Sequence, residues 1–310
     1  MSKRFKFFLT TFILSLPFWW GMNVFQGKLE KFFYAQISKP FEEITSSKFF
    51  EDRPEKSINN LVLGVKSAIL LRTNQFLDKE EILFKKEIYI KLPIASLTKL
   101  MTALIVFEDP ENYNFSKILT VSERAASQED APEYGYLKAG ETKRVAELLD
   151  LMLIYSSNDS AFALSQVIGV ENFVERMNKK ARSLGLIDTY FVNPTGLDSE
   201  NLSYSKETDY FFNYSTARDL AKLSQYILKE FPIIFEISVR EPAFPLKNNS
   251  FRLTSNQTII GKKTGYTKEA GGCMILVLGQ NDNYFINVIL GTETTEARTK
   301  EMQKLVNWLK

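Results

Sequence analysis

A serine and a lysine three residues apart are the residues of this chain best suited to nucleophilic chemistry. Ser96 and Lys99 lie in segment 93–104, whose apolar residues recur at helical spacing and predict an amphipathic helix. Residues three apart on a helix share a face, so a neutral Lys99 amine can accept the Ser96 proton. The chain has no histidine, which excludes a Ser-His-Asp triad and a His-ligated metal site. For this motif alone, a capped amphipathic helix with an exposed lysine is the better interpretation.

Small polar residues separate two helical segments further along the chain. Ser156 and Asn158 follow an apolar helix predicted over 142–154, and a second helix is predicted over about 160–167. Asp159 and Ser160 are suitable caps for that second helix. Ser156 and Asn158 can then face a cleft, where a hydroxyl relays a proton and an amide holds a substrate carbonyl. The alternative is a helix end followed by a helix cap, without a catalytic role.

A third polar motif, Lys263-Thr264-Gly265-Tyr266, lies on a strand predicted over 258–266. Lys263 supplies positive charge and Thr264 a hydroxyl, and together they can bind a carboxylate. Gly265 permits close backbone approach to a ligand, or marks a β-bulge. Alone, the motif is more typical of a solvated edge strand with a lysine and a threonine facing water.

Composition limits the classes of protein to which the chain can belong. With 310 residues it can bury a full core, and its 39 basic and 37 acidic residues nearly balance. No basic block is interleaved with aromatic residues, so nucleic acid is not an expected partner. The single Cys273 cannot form an intrachain disulfide and is typical of a small buried hydrophobic residue.

The N-terminus has the pattern of an export signal. Lys3, Arg4 and Lys6 precede an apolar run over 7–25, close to the length of about 20 residues that spans a bilayer. No Ala-x-Ala cleavage site follows, which favours an uncleaved signal anchor over residues 1–26 rather than a removed signal peptide. Because positive flanks stay in the cytoplasm, the rest of the chain is expected on the extracytoplasmic face of the membrane. Residues 27–60 are predicted to be a linker or stalk.

The remaining residues, 61–310, are predicted to form one domain of the α+β class. Strands are predicted over 61–72 and 82–90, followed by a mainly helical middle. Three further strands are predicted over 258–266, 271–279 and 284–290, and a helix over 295–310. Such an order favours an antiparallel five-stranded sheet flanked by helices, with a mainly helical subdomain.

Taken together, the motifs Ser-x-x-Lys, Ser-x-Asn and Lys-Thr-Gly are the set found in penicillin-binding proteins and class A β-lactamases. Segments 95–103, 147–161, 191–198 and 263–273 resemble the serine D-alanyl-D-alanine carboxypeptidases, the low-molecular-weight penicillin-binding proteins. The resemblance covers about 61–310 and implies a β-lactamase/transpeptidase-like fold. One departure is Ser157, where glycine is usual.

This resemblance implies that the chain removes the terminal D-alanine from peptidoglycan stem peptides through an acyl-enzyme on Ser96. Lys99 would accept the serine proton, Ser156 would pass a proton to the departing D-alanine, and Asn158 would hold the substrate amide. The partners implied are stem peptides ending in D-Ala-D-Ala, β-lactam antibiotics as inhibitors, and the membrane through the N-terminal segment. No metal and no organic cofactor is expected.

Substrate binding is assigned by the same resemblance. Lys263 and Thr264 would hold the substrate carboxylate beside Gly265, and the backbone N–H groups of Ser96 and Tyr266 would stabilise the oxyanion. Three alternatives remain open: a β-lactamase, a peptidoglycan endopeptidase or transpeptidase using the same site, and a catalytically silent peptidoglycan-binding protein.

Overall fold

The computed structural model describes residues 61–128, 137–198, 212–241 and 253–309. The predicted signal anchor at 1–26 and the predicted linker at 27–60 lie outside these ranges. Within the described ranges, no helix combines the length and the apolar character needed to cross a bilayer.

The described residues form an α+β fold of short helices around one main sheet. In chain order, the strands and helices are β1 (Ser67–Asn74), β2 (Glu80–Lys86), β3 (Leu92–Pro93), α1 (Thr98–Phe107), β4 (Ile118–Thr120), α2 (Glu123–Ala126), β5 (Thr142–Arg144), α3 (Val145–Ile154), α4 (Asn158–Gln166), α5 (Val170–Ser183), β6 (Tyr214–Ser215), α6 (Ala217–Glu230), α7 (Ile233–Ser238), β7 (Thr258–Thr267), β8 (Gly271–Gln280), β9 (Asn283–Thr292) and α8 (Thr295–Trp308). A 3₁₀ turn, Ala95–Leu97, directly precedes α1.

Five strands form the main sheet in the order β2-β1-β9-β8-β7, and every neighbouring pair is antiparallel. The prediction of a five-stranded antiparallel sheet is therefore confirmed. Strand β7, which carries the Lys-Thr-Gly motif, is an edge of this sheet. Its outer side is consequently available to the segment that contains Ser96.

Both faces of the sheet are covered, which explains why β8 is an uninterrupted apolar run. Cys273, Ile275 and Val277 face the larger core, shared with the helical layer. Met274 and Leu276 face a smaller core, shared with helix α8. This alternation is the period of two expected for a strand that is buried on both sides.

Several elements differ from the sequence-based expectation. Two short strand pairs and one short helix were not predicted, because they are too short to show a hydrophobic period. They are β3–β6, β4–β5 and α7. The first strand begins at Ser67 rather than at residue 61. Residues before it pack against α8 instead, where the Gly64 backbone N–H donates to Glu301 at 2.8 Å.

Candidate active site

Ser96 and Lys99 are in direct contact at the start of α1. Lys99 Nζ lies 2.8 Å from Ser96 Oγ. Ser96 is partly exposed, whereas the Lys99 side chain is fully buried. Ser96 lies in the 3₁₀ turn rather than in the helix, which begins at Thr98. The motif therefore combines an accessible hydroxyl with a buried amine.

Two further oxygens surround the Lys99 amine. Asn158 Oδ1 lies 2.6 Å from Nζ, and the backbone oxygen of Thr195 lies 2.7 Å from it. A neutral amine has two N–H groups and one lone pair. When the two N–H groups donate to Asn158 and Thr195, the lone pair is directed at the Ser96 hydroxyl. This geometry suits transfer of the serine proton to Lys99.

A second hydroxyl–amine pair faces the first across the site. Lys263 Nζ donates to Ser156 Oγ at 2.7 Å and to the backbone oxygen of Thr264 at 3.0 Å. Lys263 is 3% exposed. Burial, and then the positive charges of Lys99 and Arg298, hold the pKa of Lys263 well below its usual range. A lowered pKa favours the neutral amine in the free protein, and a bound anion would favour the ammonium form again.

The cap prediction for helix α4 is wrong by two to three residues. Ser157, not Asp159 or Ser160, is the N-cap, and its Oγ accepts from the Ser160 backbone N–H at 3.1 Å. Asp159 is buried and instead accepts from the backbone N–H of Leu137. A hydroxyl at Ser157 fixes the helix start at Asn158. This places the Asn158 side chain against Lys99.

Two glycines enclose the peptide that contains the Ser96 N–H. A Cβ on Gly265 would lie 2.9 Å from Ser96 N, so β7 approaches the nucleophile turn itself. A Cβ on Gly196 would lie 2.0 Å from the Ala95 backbone oxygen. The irregularity of β7 lies between Ile259 and Gly261, so Gly265 does not mark a bulge. Gly265 permits a close approach within the protein, and this approach brings β7 to Ser96.

The other residues of the third motif lie along the same strand. Thr264 is partly exposed, and the Tyr266 side chain is 50% exposed. Cys273, on the neighbouring strand, is buried, and burial raises its pKa to about 11. A protonated buried thiol is a poor nucleophile, so Cys273 is not a candidate nucleophile of this site.

Sequence reasoning missed two groups of the site. One is the Thr195 carbonyl, which lies in a loop that the resemblance covered without a role. The other is Arg298 of α8, which is 8% exposed and donates to the Gly265 backbone oxygen at 2.9 Å. The resemblance at 191–198 marked the Thr195 loop without assigning it a role, whereas no local motif marks Arg298, which reaches the site through a tertiary contact.

Comparison with known proteins supplies named relatives. D-alanyl-D-alanine carboxypeptidase DacF of Bacillus subtilis is 32% identical over 271 residues, which are 84% of this chain and 65% of DacF. A D-alanyl-D-alanine endopeptidase of Pseudomonas aeruginosa is 29% identical and aligns over 83% of this chain and 81% of its own. This chain thus spans slightly less than two thirds of DacF.

Solved structures share the fold. Penicillin-binding protein D2 of Listeria monocytogenes, in its ampicillin-bound form, superposes with a TM-score of 0.64 at 29% identity. That match covers 80% of this chain and 98% of the Listeria chain. Penicillin-binding protein 6B of Escherichia coli gives a TM-score of 0.65 at 27% identity, covering 82% of this chain and 80% of its own. The β-lactamase/transpeptidase-like fold is therefore confirmed.

A family model, described as D-alanyl-D-alanine carboxypeptidase, peptidase S11, matches residues 58–294. This range includes all three motifs and all five strands of the main sheet. By this match, the chain belongs to the peptidase S11 family of D-alanyl-D-alanine carboxypeptidases.

Proposed function

We propose that the protein is a serine-type D-alanyl-D-alanine carboxypeptidase that removes the terminal D-alanine from peptidoglycan stem peptides. The observation that carries this proposal is the contact between the accessible Ser96 hydroxyl and the buried Lys99 amine. A serine beside a lysine becomes nucleophilic without histidine, and the chain has none.

In the acylation step, Ser96 Oγ attacks the carbonyl carbon of the peptide bond between the two D-alanines. The Ser96 proton moves to Lys99, and the new O–C bond gives a tetrahedral intermediate. When the C–N bond breaks, Ser156 passes a proton to the departing amine and regains one from the Lys99 ammonium, which becomes neutral again. Water then attacks the ester carbonyl and gives a proton to Lys99, and Lys99 returns it to Ser96 Oγ as the ester O–C bond breaks.

Side chains and backbone N–H groups of the site suit the terminal carboxylate, the amide and the oxyanion of the substrate. Thr264 is partly exposed beside the buried Lys263, and together they would bind the terminal carboxylate. Asn158 would hold the substrate amide. The backbone N–H groups of Ser96 and Tyr266 would stabilise the oxyanion, since the approach of Gly265 brings β7 to the turn that contains Ser96.

A synthetic peptide ending in D-Ala-D-Ala tests this activity directly. The full chain in detergent should release free D-alanine from it, and Ser96→Ala should abolish the release. A peptide ending in D-Ala-L-Ala is the matched substrate control. Absence of release by folded wild-type protein, or equal release by Ser96→Ala, would refute the proposal.

Endopeptidase activity is a second candidate, because the aligned Pseudomonas aeruginosa relative is named as a D-alanyl-D-alanine endopeptidase. Both activities use the same acyl-enzyme and differ in the bond that is cleaved. Supplying cross-linked muropeptides beside the linear peptide distinguishes them by mass spectrometry. Transpeptidation would appear as a dimeric product when an acceptor amine is added.

Two other outcomes would identify the remaining alternatives. Rapid turnover of a penicillin would identify a β-lactamase. Binding of stem peptides without any covalent adduct would identify a catalytically silent binding protein.

Location follows from the proposed substrate and from the N-terminal sequence. Peptidoglycan lies outside the cytoplasm, and the positively charged, apolar residues 1–26 have the pattern of a signal anchor. We infer attachment to the extracytoplasmic face of the cell membrane, with residues 27–60 as a linker to a catalytic domain at 61–310. Deleting residues 2–26 should move the protein from the membrane fraction to the cytoplasm. Unchanged fractionation would contradict the anchor.

A further inference from the structure

The loop that supplies the Thr195 carbonyl has each of three successive carbonyls held by a side-chain donor. The oxygen of Asn193 accepts from Asn213 Nδ2 at 2.9 Å, and that of Pro194 accepts from Thr102 Oγ1 at 2.7 Å. The Thr195 oxygen accepts from Lys99 Nζ at 2.7 Å. The backbone path of this loop is therefore specified residue by residue, although it is neither helix nor strand.

The loop's N–H groups are held in the same manner by two asparagine side chains. Asn213 Oδ1 accepts from the N–H groups of Val192 and Asn193, at 2.7 and 3.1 Å. Asn193 Oδ1 accepts from the N–H groups of Thr195 and Gly196, at 3.1 and 2.7 Å. Asn213 holds the start of the loop, and Asn193 closes the turn that exposes the Thr195 carbonyl to Lys99.

Asn213 also contacts the segment that carries the nucleophile. Its Nδ2 donates to Thr98 Oγ1 at 2.8 Å, and its backbone oxygen accepts from the Ile94 N–H at 3.2 Å. Thr98 is the first residue of α1, one position before Lys99. Asn213 and Thr98 are both buried, so these hydrogen bonds have no competition from solvent.

We propose that Asn213 is a positioning residue for acylation, because it joins Thr98 to the loop whose Thr195 carbonyl orients the Lys99 amine toward Ser96. Asn213 touches neither Ser96 nor Lys99 and acts through that carbonyl. Without it, the start of the loop at Asn193 is no longer fixed, so the Thr195 carbonyl can shift and the Lys99 amine can rotate its lone pair away from the serine. The inference rests on the proposed function, since it concerns the same proton transfer.

Stopped-flow acylation of the full chain by a chromogenic cephalosporin tests the proposal. It separates the dissociation constant of the initial complex from the first-order acylation rate constant. Asn213→Ala should lower the rate constant by about 10–100-fold, as expected for a misplaced catalytic group. The dissociation constant should change by less than about twofold, because Asn213 contacts none of the proposed binding residues.

Asn178→Ala is the matched control. Asn178 is also a buried asparagine, and it makes two hydrogen bonds to the Phe191 backbone at the near end of the same loop. It should lower thermal stability to a similar degree and leave the acylation rate constant within about threefold of wild type. An equal fall in the rate constant for both variants would assign Asn213 a general structural role and overturn the proposal.

Substitutions at Thr98 keep the proposal testable if Asn213→Ala does not fold. Thr98→Val removes the hydroxyl that accepts from Asn213 and keeps the side-chain shape, whereas Thr98→Ser restores the hydroxyl. The proposal expects the rate constant to fall in the first variant and to recover in the second. A wild-type rate constant in Thr98→Val would overturn it. A wild-type protein that is never acylated would instead refute the proposed function, before any variant is compared.

Discussion

At the scale of single residues, the site buries two lysines in a chain that has no histidine. Each lysine lies beneath a partly exposed hydroxyl, Lys99 under Ser96 and Lys263 under Ser156. Burying two amines close together is unfavourable for folding, because neither can carry its charge there without a large desolvation cost. The arrangement is therefore expected to reduce stability in favour of reactivity.

Lys263→Met tests how much the buried lysine reduces the stability of the fold. The pKa of Lys263 is lowered on folding, so the unfolded chain binds a proton more readily than the folded one. The resulting destabilisation is fully present below the folded pKa and fades as the pH rises toward the usual lysine value. Lys263→Met should therefore raise the free energy of unfolding at pH 7, by about 1 kcal/mol, and abolish acylation. The gain should shrink as the pH approaches 10.

Urea unfolding between pH 6 and 10 measures this effect. Lys262→Met is the control, because that neighbouring side chain on β7 is less buried than Lys263. Its stability should stay near wild type throughout the pH range. Destabilisation by Lys263→Met at every pH would contradict the account.

At the scale of elements, the site depends on how closely the loop at 193–197 and strand β7 approach the nucleophile turn. Gly196 has a φ of +89°, and an added Cβ would lie 2.0 Å from the Ala95 backbone oxygen. Gly196→Ala should therefore cost more than about 3 kcal/mol of stability and displace the Ser96 N–H from the oxyanion position.

Gly185→Ala separates the stability lost through a positive φ from the stability lost through the steric clash at Gly196. Gly185 also has a positive φ, but an added Cβ there would meet no atom within 4 Å. This variant should lose only about 1 kcal/mol and keep wild-type acylation. Thermal unfolding and penicillin labelling of both variants provide the comparison. Equal losses in both would show that backbone strain, not the close approach, determines the cost.

An element could be predicted from the sequence where its hydrophobic pattern extends over many residues or where it carries a distinctive motif. The five strands of the main sheet and the three polar motifs all carry such local signals, and the structure brings Ser96, Lys99, Ser156, Asn158 and Lys263 together. Asn213 and Arg298 carry none, because their contacts with the site join segments far apart in the chain. The cap of α4 was misplaced because Ser157, Asp159 and Ser160 are all good capping residues.

At the scale of the whole molecule, the first described residues are tied to the last helix on the sheet face away from the helical layer. Glu301 accepts from the Gly64 N–H and from Lys304. Burial alone would raise the pKa of Glu301, but the hydrogen bonds from Lys304 and Gly64 lower it below its usual 4.5. The ionised carboxylate therefore stabilises the fold above the unfolded pKa, and this contribution is lost as the pH falls through the lowered value.

Glu301→Gln should reduce the free energy of unfolding by about 1–2 kcal/mol at pH 7 and by progressively less below pH 4. Glu293→Gln is the control, because that exposed side chain lies just before the same helix. Chemical unfolding at several pH values measures the difference. A deficit that persists unchanged to pH 3 would contradict the proposed role of the charge. Acylation should be unaffected, since Glu301 lies across the sheet from Ser96.

We expect Ser96 to form a covalent acyl-enzyme, which intact-protein mass spectrometry after incubation with penicillin can detect. The wild-type chain should carry one stoichiometric adduct, located by peptide mapping to Ser96 and lost slowly. The folded Ser96→Ala variant should carry no adduct. No adduct on folded wild-type protein, or the same adduct on Ser96→Ala, would contradict the account.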